Sequence, residues 1–300
     1  MILLTGATGV VGSVLLPRLL EAGADVRCLV REPRKLGPNR VRVQITLGDL
    51  ANPVSIKQAV RGVDTVVHAG AAIRDQPGAS IEEVNGVATV RLVREAERSG
   101  ARRFVFFGAL GAAATSRTRF MRAKALAERA VLDSRIDGVV LAPSLVYAPG
   151  DPWMTLLSRM SLLPWMPVSG SGRARYQPIW ADDVARCAVA VATDAAEAGG
   201  RRFELAGPDE LDYEQLVRVA LEAFGRRRPI VHVPLSAVRV GLRALERMTG
   251  TSAFATWEEA ELMEVPMTTR RGTADARSLG VDPKPIRAVL GLATDAGAPS

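Results

Sequence analysis

The chain has 300 residues, of which 48% are hydrophobic and 24% charged, and its formal net charge is +7. This composition excludes a disordered or fibrous chain and predicts a globular protein with a sizeable core. The positive charge comes mainly from scattered arginines without an aromatic-and-basic recognition motif. We therefore expect a phosphate-bearing small molecule, and no nucleic acid, as the partner.

Three further features bear on location. Ile2–Thr5 already has the pattern of a buried strand, so we expect no signal peptide before the domain. A run of about 18 uncharged apolar residues is lacking, which argues against a membrane-spanning helix. Cys28 and Cys187 lie in apolar runs, as buried thiols of a reducing compartment do. We expect a cytoplasmic protein, with peripheral attachment to the inner face of a membrane as the alternative.

Strands and helices alternate through residues 1–150. The predicted strands are Ile2–Thr5, Asp25–Val30, Val41–Thr46, Thr65–Ala69, Arg103–Phe107 and Gly138–Leu141. The predicted helices between them are Gly12–Ala22, Val54–Val60, Val84–Ser99 and Phe120–Ser134. Strands separated by helices of this length form a parallel sheet with right-handed crossovers, covered on both faces. The predicted fold class is α/β, a doubly wound parallel Rossmann sheet with a smaller C-terminal lobe.

The composition changes after Pro149. We expect residues 1–150 to form the dinucleotide-binding domain, residues 151–294 the smaller lobe packed on it, and residues 295–300 a loose tail. The predicted elements of the second half are a strand at Arg202–Glu204 and helices at Asp182–Thr193, Tyr213–Phe224 and Val238–Met248. The helix over 182–193 and its neighbours can instead rejoin the sheet domain.

A glycine-rich turn joins the first strand to the first helix, with the sequence Thr5-Gly6-Ala7-Thr8-Gly9-Val10-Val11-Gly12. In such a pattern the first glycine permits a tight turn, the second lets the backbone approach a pyrophosphate, and the third lets helix and strand pack closely. The helix N-terminus then offers N–H groups and partial positive charge to phosphate. We predict a dinucleotide site here. The predicted contacts are Thr5, Gly6, Thr8, Gly9, Val10, Val11 and Gly12.

The residues after the second strand bear on the choice of dinucleotide. A carboxylate at this point suits the ribose hydroxyl of NAD, whereas an arginine suits the 2′-phosphate of NADP. Arg31 comes first past the strand, and Arg34 and Lys35 follow closely. This pattern favours NADP(H), while Glu32 beside Arg31 keeps NAD(H) open as the alternative.

Several segments together resemble the short-chain dehydrogenase/reductase superfamily. They are the glycine turn, Gly48-Asp49-Leu50, the strand end Val66–Ala71, Asn85 at the start of a helix, Ala142–Asp151 and Gln177–Ala185. The last two are similar to the extended and atypical branches. Phe106–Ala112 and Phe120–Ala125 most resemble the group of the Rossmann-fold accessory subunit of respiratory complex I. The resemblance continues to about residue 290.

This resemblance implies a nicotinamide cofactor lined by several strand ends. Beyond the glycine turn and Arg31, the matching positions are Asp49, Leu50, Ala69, Gly70, Ala71, Asn85, Lys124 and Pro143. The resemblance also implies a catalytic Ser, Tyr and Lys. In such enzymes the Tyr transfers a proton at the substrate oxygen, the Lys lowers the pKa of that Tyr and holds the nicotinamide ribose, and the Ser orients the substrate.

The catalytic positions depart from this pattern. Phe120 stands at the Tyr position, four residues before Lys124, and Gly108–Leu110 stand at the Ser position. Phenylalanine has no ionisable oxygen and cannot perform the acid/base step. Lys124 then remains as a ribose ligand, and Tyr147 after the sixth strand is the alternative proton donor. His68, at a strand end, is expected to be a core residue, and we find no metal-ligand spacing.

An apolar segment begins the second half. Its large side chains are Trp153, Met154, Leu156, Leu157, Met160, Leu162, Leu163, Trp165 and Met166. Three interpretations are open, namely a cap over a pocket for a small apolar substrate or quinone, the core of the lobe, and a contact with a membrane or protein. Arg239, Arg243 and Arg247 form a basic helical stripe that suits either a solvated face or an anionic bilayer.

Two function classes follow from these patterns. The first is an NADP(H)-binding protein without the standard chemistry, in a structural, sensing or assembly role, for example near a respiratory or quinone-handling membrane. The second is an NAD(P)-dependent oxidoreductase or epimerase that uses another proton donor, such as Tyr147 or a water. Phe120 favours the first class, and the apolar segment beside the dinucleotide site favours the second.

Overall fold

The computed structural model describes residues 1–193, 200–249 and 256–293, without the side chains of 244–249. The predicted tail of residues 295–300 and the side chain of Arg247 lie outside the described residues. The strands are β1 Ile2–Thr5, β2 Val26–Val30, β3 Gln44–Leu47, β4 Thr65–His68, β5 Arg103–Phe107, β6 Asp137–Pro143, β7 Val146–Tyr147, β8 Met166–Ser169, β9 Arg175–Tyr176, β10 Ile179–Trp180, β11 Arg201–Leu205, β12 Leu211–Asp212 and β13 Ile230–Val233. The helices are α1 Val10–Glu21, α2 Pro53–Ala59, α3 Ala88–Arg98, α4 Arg119–Leu132, α5 Pro152–Met160, α6 Ala181–Thr193, α7 Tyr213–Ala223, α8 Leu235–Thr249, α9 Trp257–Leu262, α10 Ala274–Ser278 and α11 Ile286–Val289.

Seven of these strands form one parallel sheet in the order β3-β2-β1-β4-β5-β6-β11. The order runs outward from β1 on one side and from β4 on the other, so the strand order reverses between these two parallel strands. Thr5 at the end of β1 lies opposite His68 at the end of β4. Ligands of such sheets bind beyond the carboxyl ends of the strands at this switch point. The predicted doubly wound Rossmann sheet is confirmed.

The two faces of the sheet pack against different helices. Successive strand residues point to opposite faces, so Leu4 and Val67 lie in the core under α1 and α6, whereas Leu3 and Val66 lie in the core under α2, α3 and α4. Arg18 of α1 donates to Asp182 of α6 at 2.6 Å. Because both faces are covered, the central strands β1, β4, β5 and β6 are mostly apolar and buried.

The edge of the sheet beyond β6 comes from the second half of the chain. β11 pairs in parallel with β6, from Arg201 opposite Val139 to Leu205 opposite Pro143. The strand predicted at 202–204 is therefore part of the main sheet, and α6 covers the sheet beside α1. The strand pattern identified this element, but only its pairing with β6 decides which sheet it joins.

At the opposite edge, β3 begins later than predicted. The expected strand over 41–46 is observed at Gln44–Leu47, because a 3₁₀ run over Pro33–Arg42 continues through Val41. Gly37 has a φ of 58° and Pro38 follows it, which makes this run kinked. Val41 is consequently 89% exposed.

The remaining elements pack beside the carboxyl ends of the strands. α5 and α7 share a core of Met154, Leu157, Val217 and Leu221, and β8 pairs in parallel with β13. The sequence patterns missed α5, although Asp151 accepts a hydrogen bond from the Met154 nitrogen at 2.7 Å as its N-cap. An aspartate followed by proline is a helix-start signature. Within the described ranges, no helix combines the length and apolarity needed to cross a membrane.

Candidate dinucleotide site

The glycine turn lies tightly against two neighbouring backbones. Gly6 has a φ of 73°, and a Cβ on it would lie 2.5 Å from the Gly70 nitrogen just after β4. A Cβ on Gly12 in the first turn of α1 would overlap the carbonyl oxygen of Gly6. Both positions therefore require glycine, and together they bring the start of α1 against the carboxyl ends of β1 and β4.

The start of α1 has the properties of an anion site. Gly9 is its N-cap and supplies no side-chain acceptor, and the first turn contains no acidic residue. Thr8 and Gly9 are exposed, and Val10 is half-buried. The first backbone N–H groups of a helix have no intrahelical acceptor, and the helix dipole places partial positive charge there. This arrangement suits a phosphate.

A buried hydrogen-bonded chain holds the end of β4. The Thr89 hydroxyl donates to the Asn85 carbonyl at 2.9 Å, and His68 Nε2 lies 3.0 Å from the same hydroxyl. His68 Nε2–H therefore donates to Thr89, and Nδ1 accepts from the Thr5 hydroxyl at 2.6 Å. Burial, helped by the charge of Lys124, lowers the pKa of His68 to about 3, so the imidazole is neutral. His68 thus has the core position expected of it.

The side chain of Asn85 holds the loop after β4. Its Nδ2 donates to the carbonyls of Ala72 at 2.7 Å and Ile81 at 2.8 Å, and its Oδ1 accepts from the Ala72 nitrogen at 3.1 Å. Asn85 lies in a π-helical turn over Glu83–Val87 that leads into α3. The Asn85 amide is therefore hydrogen-bonded to backbone groups, and these bonds hold the loop that borders the glycine turn.

The structure brings together the predicted residues around that loop. Ala69 donates its N–H to the Thr5 carbonyl at 3.1 Å. Leu50 reaches Gly70 so closely that a Cβ on Gly70 would lie 2.5 Å from Leu50 Cδ1. Ala71 is exposed at the rim. Thr5, Leu50 and the 69–71 loop therefore lie together at the switch point of the sheet.

Opposite charges pair at the end of β2. Arg31 lies 3.7 Å from Asp49, and both side chains are largely exposed. Asp49 also accepts from the Ala51 nitrogen at 2.9 Å. Lys35 donates to Glu32 at 2.7 Å, and this pairing lowers the pKa of the Glu32 carboxyl. Glu32 is thus hydrogen-bonded to Lys35 and not to Arg31. The Arg31 guanidinium lies near the rim of the site.

Lys124 is buried among aromatic rings near the carboxyl end of β5. Its Nζ donates to the Phe107 carbonyl at 2.6 Å. The same Nζ lies 4.7 Å from the ring centre of Phe106 and 5.6 Å from that of Phe120. Burial lowers the pKa of Lys124 to about 8, with the Glu128 charge acting in the opposite direction. Phe120 carries no hydroxyl, so the phenol that the resemblance predicts beside Lys124 is absent.

Glu128 is a site residue that sequence reasoning missed. It lies one turn after Lys124 and accepts from the Ala109 nitrogen at 3.0 Å and from Arg202 of β11 at 2.9 Å. A Cβ on Gly108 would overlap Glu128. The carboxylate therefore occupies the space beside the expected Ser position and holds the loop after β5. Its four-residue spacing from Lys124 was the available signal.

The residues after β6 are mostly structural. Pro143 ends the pairing of β6 with β11, and its carbonyl accepts from the Leu110 nitrogen at 2.9 Å. Ser144 donates to the Met267 carbonyl at 2.7 Å. Tyr147 is fully buried, and its hydroxyl has no hydrogen-bond partner among the residues that the structure describes. Burial, together with the nearby Asp183 charge, raises the pKa of that phenol well above its usual range.

A closing segment, residues 256–267, packs in front of Phe120. Leu262 and Met267 are buried in one cluster with Leu110 and Met121, and Phe120 packs against that cluster. Ion pairs join the rim of the closing segment to the sheet domain, with Arg74 to Glu259 at 2.6 Å and Arg119 to Glu258 at 3.6 Å. The surroundings of Phe120 are therefore apolar.

The fold and the glycine turn define the class of protein. The chain belongs to the NAD dependent epimerase/dehydratase family, whose model matches residues 2–206. That region ends one residue after β11, so it covers the whole main sheet. The predicted relation to the extended and atypical short-chain dehydrogenase/reductases is confirmed.

Among individual relatives, subunit 9 of the alpha subcomplex of mitochondrial NADH dehydrogenase from Arabidopsis thaliana is 28% identical over 241 residues. The match covers 76% of this chain and 59% of that subunit. Sterol demethylase protein B of Methylococcus capsulatus is 30% identical over 258 residues, 77% of each chain. The photosystem II assembly factor Ycf39 of Synechocystis is 24% identical over 290 residues, 94% of this chain and 86% of that protein.

Solved structures share the fold. A nucleoside-diphosphate-sugar epimerase from Staphylococcus aureus superposes with a TM-score of 0.76 at 22% identity, covering 96% of this chain and 99% of that one. An NADPH-dependent quinone oxidoreductase from Escherichia coli, complexed with NADPH, superposes with a TM-score of 0.72 at 16% identity, covering 97% of this chain and 99% of that one.

Proposed function

We propose that this chain binds NADP(H) at the switch point of its sheet. The glycine turn and the start of α1 would hold the pyrophosphate, and the remaining contacts would come from the strand ends. The contacts we propose are Thr5, Gly6, Thr8, Gly9, Val10, Val11, Gly12, Arg31, Asp49, Leu50, Ala69, Gly70, Ala71, Asn85, Lys124 and Pro143. The proposal is supported by the tight packing of Gly6 and Gly12, where a Cβ would clash with neighbouring backbone, and by the exposed N-cap Gly9 at the start of α1.

The preference for NADP(H) over NAD(H) rests on Arg31. Its guanidinium lies at the end of β2 beside Asp49, at 3.7 Å, where a ribose 2′-phosphate would be recognised. Glu32, the acidic competitor, is paired with Lys35. A guanidinium that is held loosely by one exposed carboxylate can exchange that partner for a phosphate, which offers stronger hydrogen bonds.

We further propose that the bound dinucleotide serves a structural, sensing or assembly role and not the standard carbonyl chemistry. Phe120 carries this proposal, because it occupies the proton-donor position 5.6 Å from Lys124 Nζ. Among the relatives, one is a subunit of a respiratory complex and another is an assembly factor by name. A contact with a protein complex is the form of this role that we favour.

Experiments on the purified full chain test both the NADP(H) site and the non-catalytic role. Nucleotide released from the protein by denaturation should be NADP(H), and titration with NADPH should give a lower Kd than titration with NADH. Mixing the NADPH-bound protein with carbonyl or quinone acceptors should oxidise no more NADPH than free solution does. Failure of both dinucleotides to bind would refute the site, whereas rapid oxidation would refute only the non-catalytic role.

A second candidate function is an oxidoreductase or epimerase with Tyr147 as the proton donor. The observation in its favour is the buried hydroxyl of Tyr147, which lacks a partner within the described part of the chain. An unpaired buried hydroxyl costs free energy unless a ligand or water satisfies it. Any turnover that the wild type shows should then disappear in Tyr147→Phe, and turnover that survives this change would exclude Tyr147.

A further inference from the structure

A short apolar turn protrudes after α5. Its residues, Leu162-Leu163-Pro164-Trp165, are called the apolar tip below. Leu162 is 68% exposed, Leu163 44% and Trp165 42%. Exposure of one large apolar side chain is ordinary, but three within four consecutive residues form a contiguous patch. The α5 residues Leu156 and Met160 extend this patch, since they line a surface groove together with Leu163.

Arginines hold the apolar tip in shape from behind. Arg228 Nε donates to the carbonyls of Ser161 at 3.1 Å and Leu163 at 2.9 Å. Arg226 Nη1 donates to the Ser158 carbonyl at 2.9 Å. The Met166 nitrogen donates to the Pro229 carbonyl at 2.8 Å, which ties the far side of the tip to the same segment. The apolar side chains are therefore displayed by a braced turn whose backbone carbonyls are satisfied.

The four arginines around the apolar tip also lack acidic partners in the described ranges. Over the described parts of the chain, none of Arg159, Arg226, Arg227 and Arg228 forms an ion pair with a carboxylate. Arg159 and Arg227 are exposed. Other arginines do pair, and Arg119 and Arg202 each contact two or more acidic groups. The positive charge around the apolar tip is thus left without a counter-charge of its own.

We propose that the apolar tip and its arginines form a docking surface for an anionic lipid bilayer. Leucine and tryptophan would enter the boundary between headgroups and acyl chains, where tryptophan is favoured. The guanidinium groups would lie at the level of the lipid phosphates, and Arg226 and Arg228 would keep the tip rigid on insertion. This selects lipid over a protein partner, because a stable protein interface needs about 800 Å² per partner, more than one four-residue turn offers.

The test uses the full chain in vesicle flotation. Vesicles of phosphatidylcholine alone are compared with an equimolar mixture of phosphatidylcholine and phosphatidylglycerol. The wild type should float with the mixed vesicles and hardly with the neutral ones. Arg159→Gln and Arg227→Gln should each lower the partition coefficient about fivefold. The pair Leu162→Ser and Trp165→Ser should lower it about tenfold or more, because two inserted side chains are lost.

Matched changes elsewhere control for general surface effects. Val41 is 89% exposed and Leu126 51% exposed, so Val41→Ser and Leu126→Ser remove comparable apolar surface and should leave flotation unchanged. Thermal denaturation of every variant checks that the protein is folded. This readout keeps the proposal separate from the proposed dinucleotide site, since neither the folding check nor the lipid surface depends on NADPH binding.

Tryptophan fluorescence gives a second measurement. Emission should shift to shorter wavelength on adding mixed vesicles, and Trp165→Phe should remove the shift while keeping most of the flotation. Equal binding to both kinds of vesicle, or flotation that the tip variants retain, would overturn the proposal. A dimer in lipid-free solution that disappears in the tip variants would also overturn it, because the tip would then bind a second copy of the chain.

Discussion

Lys124 and Phe120 lie on the same face of α4, with the Lys124 ammonium 5.6 Å from the Phe120 ring centre. Lys124 also donates to the Phe107 carbonyl at 2.6 Å, which places it at the carboxyl end of β5. The pair has the spacing of a proton-donating tyrosine and its activating lysine, but the ring carries no oxygen. This relationship decides whether the family's chemistry can operate here, and it leads to the first prediction.

Phe120→Tyr should create the missing acid/base group. The new hydroxyl would extend from the ring beside a buried ammonium, which lowers the pKa of a phenol. We expect NADPH oxidation with a carbonyl acceptor to rise about a hundredfold above the wild-type rate, the lower range of general acid/base catalysis. Phe120→Leu serves as the control and should stay at the wild-type rate. An unchanged rate in the tyrosine variant would mean that the closing segment denies the substrate access.

Gly12→Ala should disrupt the glycine turn. The added methyl group would overlap the Gly6 carbonyl oxygen, so helix and turn must separate. We expect a loss of stability of about 2–3 kcal/mol and no measurable NADPH binding. The matched control is Gly241→Ala in α8, where a Cβ meets open space. That change should stabilise by about 0.5–1 kcal/mol. Thermal denaturation and NADPH titration give both results, and normal binding by the Gly12 variant would contradict the assignment of the turn.

Arg31→Gln should reduce the difference in affinity between NADPH and NADH. If Arg31 binds the 2′-phosphate, its removal weakens NADPH binding about tenfold and leaves NADH binding nearly unchanged. The ratio of the two Kd values, measured by fluorescence titration, is the quantity to follow. Arg61→Gln, an exposed arginine after α2, is the control and should keep the wild-type ratio. A parallel loss for both dinucleotides would assign Arg31 to structure instead.

His68 should make the fold sensitive to acid. Its pKa is lowered from 6.5 to about 3 in the folded chain, so between these values the unfolded chain binds the proton and the folded chain does not. The contribution of His68 to stability is therefore complete above pH 6.5 and is lost on acidification, by about 1.4 kcal/mol per pH unit. Denaturant unfolding of wild type and His68→Gln should show a smaller acid-side slope in the variant. Equal slopes in the two proteins would contradict the buried neutral imidazole.

The local pattern of apolar and polar residues predicted much of the fold. β1 and β5 match their predicted bounds of Ile2–Thr5 and Arg103–Phe107, because each is a short, mainly apolar run that ends just before a glycine. The strand at 202–204 was also predicted. Its place beside β6 was not, since pairing between strands that lie some sixty residues apart leaves no local periodicity.

The candidate site divides in the same way. Thr5, Gly6 and Gly12 are contiguous with the first strand and helix, so spacing alone pointed to them. Glu128 and the closing segment act across the fold, through Arg202 and through the packing on Leu110. Asn85 was expected beside a cofactor, and only the folded backbone places its amide on Ala72.

By itself, the sequence determined the alternation of strands and helices, the glycine turn, and the absence of a hydroxyl at Phe120, since periodicity and residue chemistry are local properties. The tertiary structure decided which charges meet, that Lys124 is buried against the Phe107 carbonyl, and that the arginines at 226 and 228 brace the apolar tip. Those outcomes depend on distances between residues that are remote in the chain, and such distances are set only when the sheet and its covering helices pack together.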